Sequence, residues 1–151
     1  MHNILRISDA ASLALHTAVL LATTPDRLTT TKEIAQTLKV SEAHLSKVLQ
    51  RLSRAGLVRP IRGPRGGFML TRNANRISLQ EVYEAVEGPL PPSNCLLGDP
   101  ICDQRGCILG GLLESTNRRV REYLCTTRLS HLTSVYKKES PNAQEDRADQ
   151  R

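Results

Sequence analysis

Between residues 9 and 22 the chain reads DAASLALHTAVLLA, apolar around most of a helical circumference, which predicts a helix covered by protein on more than one side. Asp9, following Ser8, is placed to cap it, and Thr23-Thr24-Pro25-Asp26 to end it. Thr30 with Glu33 forms a capping box ahead of Ile34, Ala35 and Leu38, which predicts a short second helix. Lys39-Val40 is then a tight connection to a third helix capped by Ser41. In that helix Leu45, Val48, Leu49 and Leu52 stand at i, i+3, i+4 and i+7, a single stripe to be buried. Gly56 is placed to stop it in a left-handed conformation. Leu57-Val58-Arg59-Pro60-Ile61 and Phe68-Met69-Leu70-Thr71 predict two short strands, with Arg62-Gly63-Pro64-Arg65-Gly66-Gly67 as the reversal between them. Ser78 and Glu81 box a further helix to about Val86, after which Gly88-Pro89-Leu90-Pro91-Pro92 opens a loop holding Cys95 and Cys102. From Cys107 a long helix is predicted on Leu109, Leu112, Leu113, Val120 and Leu124, and a short last helix on Leu129, Leu132, Val135 and Tyr136. From about Lys138 onward no apolar anchor remains, which predicts disorder.

Two short helices joined tightly and followed by a hairpin give the winged helix-turn-helix order, in a mainly α fold whose only sheet is the small β-hairpin wing. The third helix is the candidate recognition helix. With its apolar stripe turned inward, 100° steps put Ala43, Ser46, Lys47, Gln50 and Arg54 outward and Arg51 at the flank. Small, polar and cationic residues on such a face suit the major groove, where Ser and Gln read base edges and Lys or Arg bind guanine or phosphate. Arg62 and Arg65 flank Gly63-Pro64 at the hairpin tip, where long cations serve no packing purpose and a narrow A·T-rich minor groove would attract them. The candidate DNA-contacting set is therefore Ser41, Ala43, His44, Ser46, Lys47, Gln50, Arg51, Arg62, Gly63, Pro64 and Arg65. The chain divides into a reading region (1–76), a cysteine loop with the following helices (77–137) and a tail (138–151).

Charge agrees with that division. The 151 residues carry a net charge of +6, but residues 1–76 hold 12 Lys/Arg against 4 Asp/Glu, a net of +8, whereas residues 77–151 are net −2. A basic half attracts polyanions at long range, with nucleic acid the leading candidate. Aromatic residues make up 3% and Trp is absent, so the core must be built from Leu, Ile, Val and Ala. No apolar run approaches the ~20 residues of a membrane span. The opening Met1-His2-Asn3-Ile4-Leu5-Arg6 lacks a basic leader with an apolar core, so a cytoplasmic address is expected, where thiols stay reduced or bind metal.

Cys95, Cys102 and Cys107 are spaced C-x6-C-x4-C, close enough for a flexible loop to bring three thiols to one metal centre. The amino end of the helix expected at Cys107 would favour thiolate. Cys125 would lie about 27 Å further along that helix at ~1.5 Å per residue, too far to be a fourth ligand in the same subunit. A closed zinc site asks for a fourth nearby Cys or His, yet His2, His16, His44 and His131 are all distant in sequence. Asp99 and Asp103 lie within the loop and are oxygen donors or turn formers. Spacing alone leaves an iron–sulfur cluster, zinc and a redox-reactive thiol set as alternatives.

Val40-Ser41-Glu42-Ala43-His44-Leu45, Ala55-Gly56-Leu57-Val58 and above all Arg62-Gly63-Pro64-Arg65-Gly66-Gly67-Phe68-Met69-Leu70 resemble the IscR/NsrR family of bacterial winged-helix repressors. Ser78-Leu79-Gln80-Glu81-Val82 and the three-cysteine loop follow in the family's order, so the resemblance covers about residues 2–137. It implies a homodimer, paired through the long helix, that addresses a pseudo-palindromic operator. It also implies an iron–sulfur cluster held by Cys95, Cys102 and Cys107, with a fourth ligand that is not cysteine. IscR-like members use a His just after the third Cys, but here Ile108-Leu109-Gly110-Gly111-Leu112 has none. NsrR-like members use an Asp at the start of the first helix of the other subunit, the place Asp9 holds. The resemblance thus points to Asp9 and to a 4Fe–4S centre, with 2Fe–2S as the alternative because the family's spacing is nearer five and five residues. Members regulating cysteine metabolism lack the three-cysteine set.

The expected function is a repressor whose operator affinity follows the state of a cluster sensing nitric oxide, redox or iron–sulfur status. The alternatives are a cluster-free thiol-redox or zinc-stabilised regulator, and an interaction module that does not bind DNA. An enzyme is not expected: no Ser/His/Asp or Cys/His constellation is present, and Gly63-Pro64-Arg65-Gly66-Gly67 lacks the Lys-Ser/Thr and helix of a phosphate-binding loop.

Overall fold

The computed structural model describes residues 7–90, 95–97, 101–102 and 107–136. The first helix, α1 (Asp9–Thr23), starts on Ser8 rather than Asp9: the extended backbone of Ser8 lets its Oγ accept from the Ala11 amide at 3.0 Å. Asp9 is instead the first helical residue, where a carboxylate still complements the positive end. Ala11, Leu13, Ala14, Thr17, Ala18, Val19, Leu21 and Ala22 are all buried. Such wide burial makes α1 the central rod of the fold, packed against the third helix on one side and the later helices on the other.

Thr30 and Glu33 close the expected box at the start of α2 (Thr31–Leu38), each side chain meeting the other's backbone amide. Lys39 then turns the chain with φ 55°, the one described residue other than glycine in the left-handed region. Its strained conformation tightens the connection to α3 (Glu42–Arg54), capped by Ser41 Oγ on the His44 amide at 3.2 Å. Leu45, Val48, Leu49 and Leu52 are buried as the stripe requires, and Gly56 follows at φ 70°.

Strands β1 (Val58–Ile61) and β2 (Gly67–Leu70) pair antiparallel, Val58 opposite Leu70 and Ile61 opposite Gly67. A feature absent from the local pattern pins this hairpin. Thr29 bridges to Phe68 through two backbone hydrogen bonds, of 3.1 and 2.9 Å, so the wing is fastened to the segment that leads into α2.

Helix α4 (Leu79–Glu87) has the second capping box, Ser78 with Glu81. Burial alone would raise the Glu81 carboxyl, but the Ser78 amide and the Arg72 guanidinium, at 2.8 Å, outweigh it and hold the group below its ordinary range. A carboxyl lowered by folding stabilises fully at neutral pH, and that contribution fades as pH falls through the folded value. Glu81→Gln should therefore lower the urea midpoint at neutral pH and match the parent in acid. Ser78→Ala should cost about 1 kcal/mol by removing the cap.

The next helix, α5 (Leu112–Thr126), begins five residues later than expected. Residues 108–111 form turns instead, with Gly110 at φ 53° and its amide bonded to the Cys107 carbonyl at 2.9 Å. Cys107 is therefore not at a helix amino end, and that argument for its thiolate falls. The axial reckoning from Cys107 also loses its basis, although Cys125 still sits near the far end of α5. The last helix, Leu129–Tyr136, is 3₁₀ rather than α. One cluster of buried side chains runs from Leu13 to Leu129 and includes residues of α1, α3, α4 and α5. Among the described residues no helix is long and apolar enough to cross a membrane. The expected disordered tail lies outside the described residues.

Candidate functional site

Helix α3 offers its outer face as the pattern requires. Ala43, His44, Lys47, Gln50, Arg51 and Arg54 are exposed and Ser46 is half-buried. Exposed Ser41 sits at the start of this face with its oxygen already accepting from His44. At the wing tip Arg62, Gly63, Pro64 and Arg65 are all exposed, and the Gly66 amide closes the turn on the Gly63 carbonyl at 2.9 Å.

Among the described residues two cations are ion-paired and a few others are engaged by hydrogen bonds. Arg27 pairs with Glu33, Arg72 with Glu81, Arg59 donates to Met69 Sδ at 3.3 Å, and Arg51 donates to the Val86 carbonyl at 3.2 Å. Lys47, Arg54, Arg62 and Arg65 have no ion-pair partner among the described residues. The reading face and the tip therefore keep their positive charge open to solvent, at the two places where a duplex would lie against a winged helix. Sequence reasoning placed Arg51 in the reading set without its tie to Val86. It also missed the part of Thr29 in fixing the wing, because both contacts are long-range.

The thiols are placed less tightly. Cys95 is half-buried beside a cleft of about 350 Å³ between α4 and α5, lined by Tyr83, Leu90, Leu113 and Arg121 among others. Cys102 is exposed, Cys107 half-buried and Cys125 exposed. Asp99 and Asp103 lie outside the described residues. Asp9 is exposed and shares a cleft of about 410 Å³ with His16 and His44, not with the cysteines. The His131 ring is engaged at 3.2 Å by the Arg128 amide. Among the described residues no three His, Cys, Asp or Glu side chains come together as a metal-holding group. On α5, Leu112 and Tyr123 are left 62% and 58% exposed.

Comparison with known proteins agrees with this architecture. The family profile described as "Rrf2: Iron-dependent Transcriptional regulator" matches residues 7–134. A protein of Aquifex aeolicus (strain VF5) named as an HTH-type transcriptional regulator is 29% identical over 134 residues, 87% of this chain and 93% of its own. The structure of CymR, the global cysteine regulator of B. subtilis, superposes with a TM-score of 0.74 at 30% identity, covering 87% of this chain and 98% of that one. IscR of T. potens shares the fold, with a TM-score of 0.70 at 23% identity over 93% and 94% of the two chains. With its wing, its open cationic face and a family match over nearly all described residues, the chain belongs to the Rrf2 family of winged-helix, DNA-binding transcriptional regulators.

Proposed function

We propose that the protein is a homodimeric repressor that reads a pseudo-palindromic operator through α3 and the wing, under the control of an iron–sulfur cluster. The observation that carries the reading is the pair of exposed arginines, Arg62 and Arg65, without an ion-pair partner among the described residues, at a tip fastened to the helix-turn-helix by Thr29. Ser41, Ala43, His44, Ser46, Lys47 and Gln50 face the major groove, and Arg62, Gly63, Pro64 and Arg65 approach the minor groove. Helix α5, with Leu112 and Tyr123 exposed, pairs with its counterpart in the second subunit.

The donor chemistry fits a cluster: three soft thiols within thirteen residues are the ligand type that iron–sulfur centres take. Cys95, Cys102 and Cys107 would hold it, with Asp9 of the partner subunit as the oxygen ligand, and 4Fe–4S favoured over 2Fe–2S. Such a group, when bound, supplies a centre reactive to nitric oxide and redox change. The chain's own part is to keep the thiol segment between α4 and α5, the helix that pairs the subunits. Anaerobically isolated protein should absorb in the visible and contain iron and sulfide, and Cys95→Ser, Cys102→Ser and Cys107→Ser should each bleach it. Equal colour in all three would reject the ligand set. Duplex binding should weaken steeply with salt, and Arg62→Ala or Arg65→Ala should each flatten the slope by about 0.9.

A second reading draws on the exposed Cys102 and on the likeness to a regulator named for cysteine. In that reading the thiols respond to oxidants directly or hold zinc. Colourless protein without sulfide would favour it.

A further inference from the structure

Helix α4 ends poorly on its own. Its last turn carries Glu84 and Glu87 and no base, so two negative charges sit where the helix already gathers negative potential. The Gly88 amide caps the Glu84 carbonyl at 3.0 Å, and the carbonyls that follow lie past the last donor of the helix. Other elements supply what is missing. Arg51 of α3 donates its guanidinium to the Val86 carbonyl at 3.2 Å. Ser8, which starts α1, donates its hydroxyl to Glu87. On the outgoing chain, the Leu90 amide donates to Glu84 at 3.4 Å and the Leu90 carbonyl accepts from Arg121 of α5 at 3.3 Å. Residues 84–90 are thus held by α1, α3 and α5 at once, and Cys95 follows beside the cleft that Leu90 and Arg121 line.

We propose that Arg51 is a positioning residue, which sets α3 against the end of α4 so that the segment carrying Cys95 governs how the reading helix is held. This rests on the reading of α3 as the DNA-contacting helix. Arginine suits the place because its always-charged, planar fork caps a carbonyl and offsets the helix end together; lysine offers the charge as a single flexible point. A residue that reads DNA and a residue that holds the reader differ in what their loss changes. Losing a phosphate contact lowers the salt slope, whereas losing the tether leaves the slope and disconnects α3 from the thiols.

The test uses the full chain in a Cys125→Ser background, so that N-ethylmaleimide falls on Cys95, Cys102 and Cys107. Hydrogen exchange over residues 42–54 is followed before and after the reagent, and binding to a mixed-sequence duplex is titrated against salt. In the parent, alkylation should change exchange across α3. In Arg51→Met that response should be lost while the salt slope stays at the parent value, and Arg51→Lys should recover part of the response. A slope lower by about 0.9 in Arg51→Met would make Arg51 a phosphate contact and overturn the proposal. So would α3 exchange that ignores alkylation in the parent. A parent whose duplex binding does not vary with salt would sink the DNA reading alone, and the exchange result would still decide the tether.

Discussion

Gly67→Ala is expected to unfasten the wing. An added Cβ would lie 2.9 Å from the carbonyl carbon and oxygen of Thr29, which are backbone atoms that cannot rotate away. Relief requires β2 to retreat, giving up the two hydrogen bonds between Thr29 and Phe68. At about 1 kcal/mol net for each, the loss is roughly 2 kcal/mol before any residual strain. Gly66→Ala should be at least as damaging, because its Cβ would meet the Ile61 carbonyl at 2.4 Å and force the turn itself open. Gly63→Ala meets nothing within 4 Å, but its φ of 121° is a conformation that a side chain strains by roughly 1–3 kcal/mol. Urea midpoints should rank Gly66→Ala and Gly67→Ala below Gly63→Ala, and duplex affinity should fall about tenfold or more for the first two, or ~1.4 kcal/mol. A Gly67→Ala protein with parental midpoint and affinity would mean that the bridge does not hold the wing.

Leu52→Ala should be among the most destabilising single changes in the reading unit. Leu52 is fully buried in the stripe of α3, and its carbonyl also accepts from the Leu57 amide at 3.0 Å, so the helix and the start of the hairpin share its position. Truncating a buried leucine typically costs about 2–5 kcal/mol through lost transfer energy and the cavity left behind. Against a whole-domain stability on the order of 5–15 kcal/mol, that is enough to reduce the folded population. Leu112→Ala provides the contrast. At 62% exposed it should change the stability of one subunit by less than about 0.5 kcal/mol. If α5 forms the subunit interface, the same change should weaken association, visible as a melting temperature more sensitive to protein concentration. Equal destabilisation of the two variants at every concentration would contradict both assignments.

Most of the reading unit was legible because its signals are local. Thr30 with Glu33 and Ser78 with Glu81 announce their helices, and the stripe from Leu45 to Leu52 fixes which face of α3 is left for a partner. The details that differ each have their own cause in the backbone. Leu109, Leu112 and Leu113 fall at helical spacing, yet the glycine pair between them frees the backbone for Gly110 to turn left-handed, and α5 waits until Leu112. At the first helix Asp9 and neighbouring Ser8 are both good caps, and only the backbone decides between them. Leu129, Leu132 and Val135 recur every three residues, which is the 3₁₀ period, and the final segment follows it. The Thr29–Phe68 bridge and the Arg51–Val86 contact join residues 39 and 35 positions apart. No window along the chain contains them. The thiol spacing was legible as chemistry but not as geometry, since the segments between the cysteines carry no periodic pattern.

The central position of α1 has a practical outcome for anyone dissecting this regulator. Leu13, Ala18 and Leu21 share one buried cluster with Leu49 and Leu52 from the reading unit and with Ile77, Val82, Leu124 and Leu129 from beyond it. A fragment cut after Arg76 would strip that second group away and present a greasy slab to water, so a minimal reader cannot be obtained by truncation. The two parts melt together, and a lesion in either is felt as a loss of the whole.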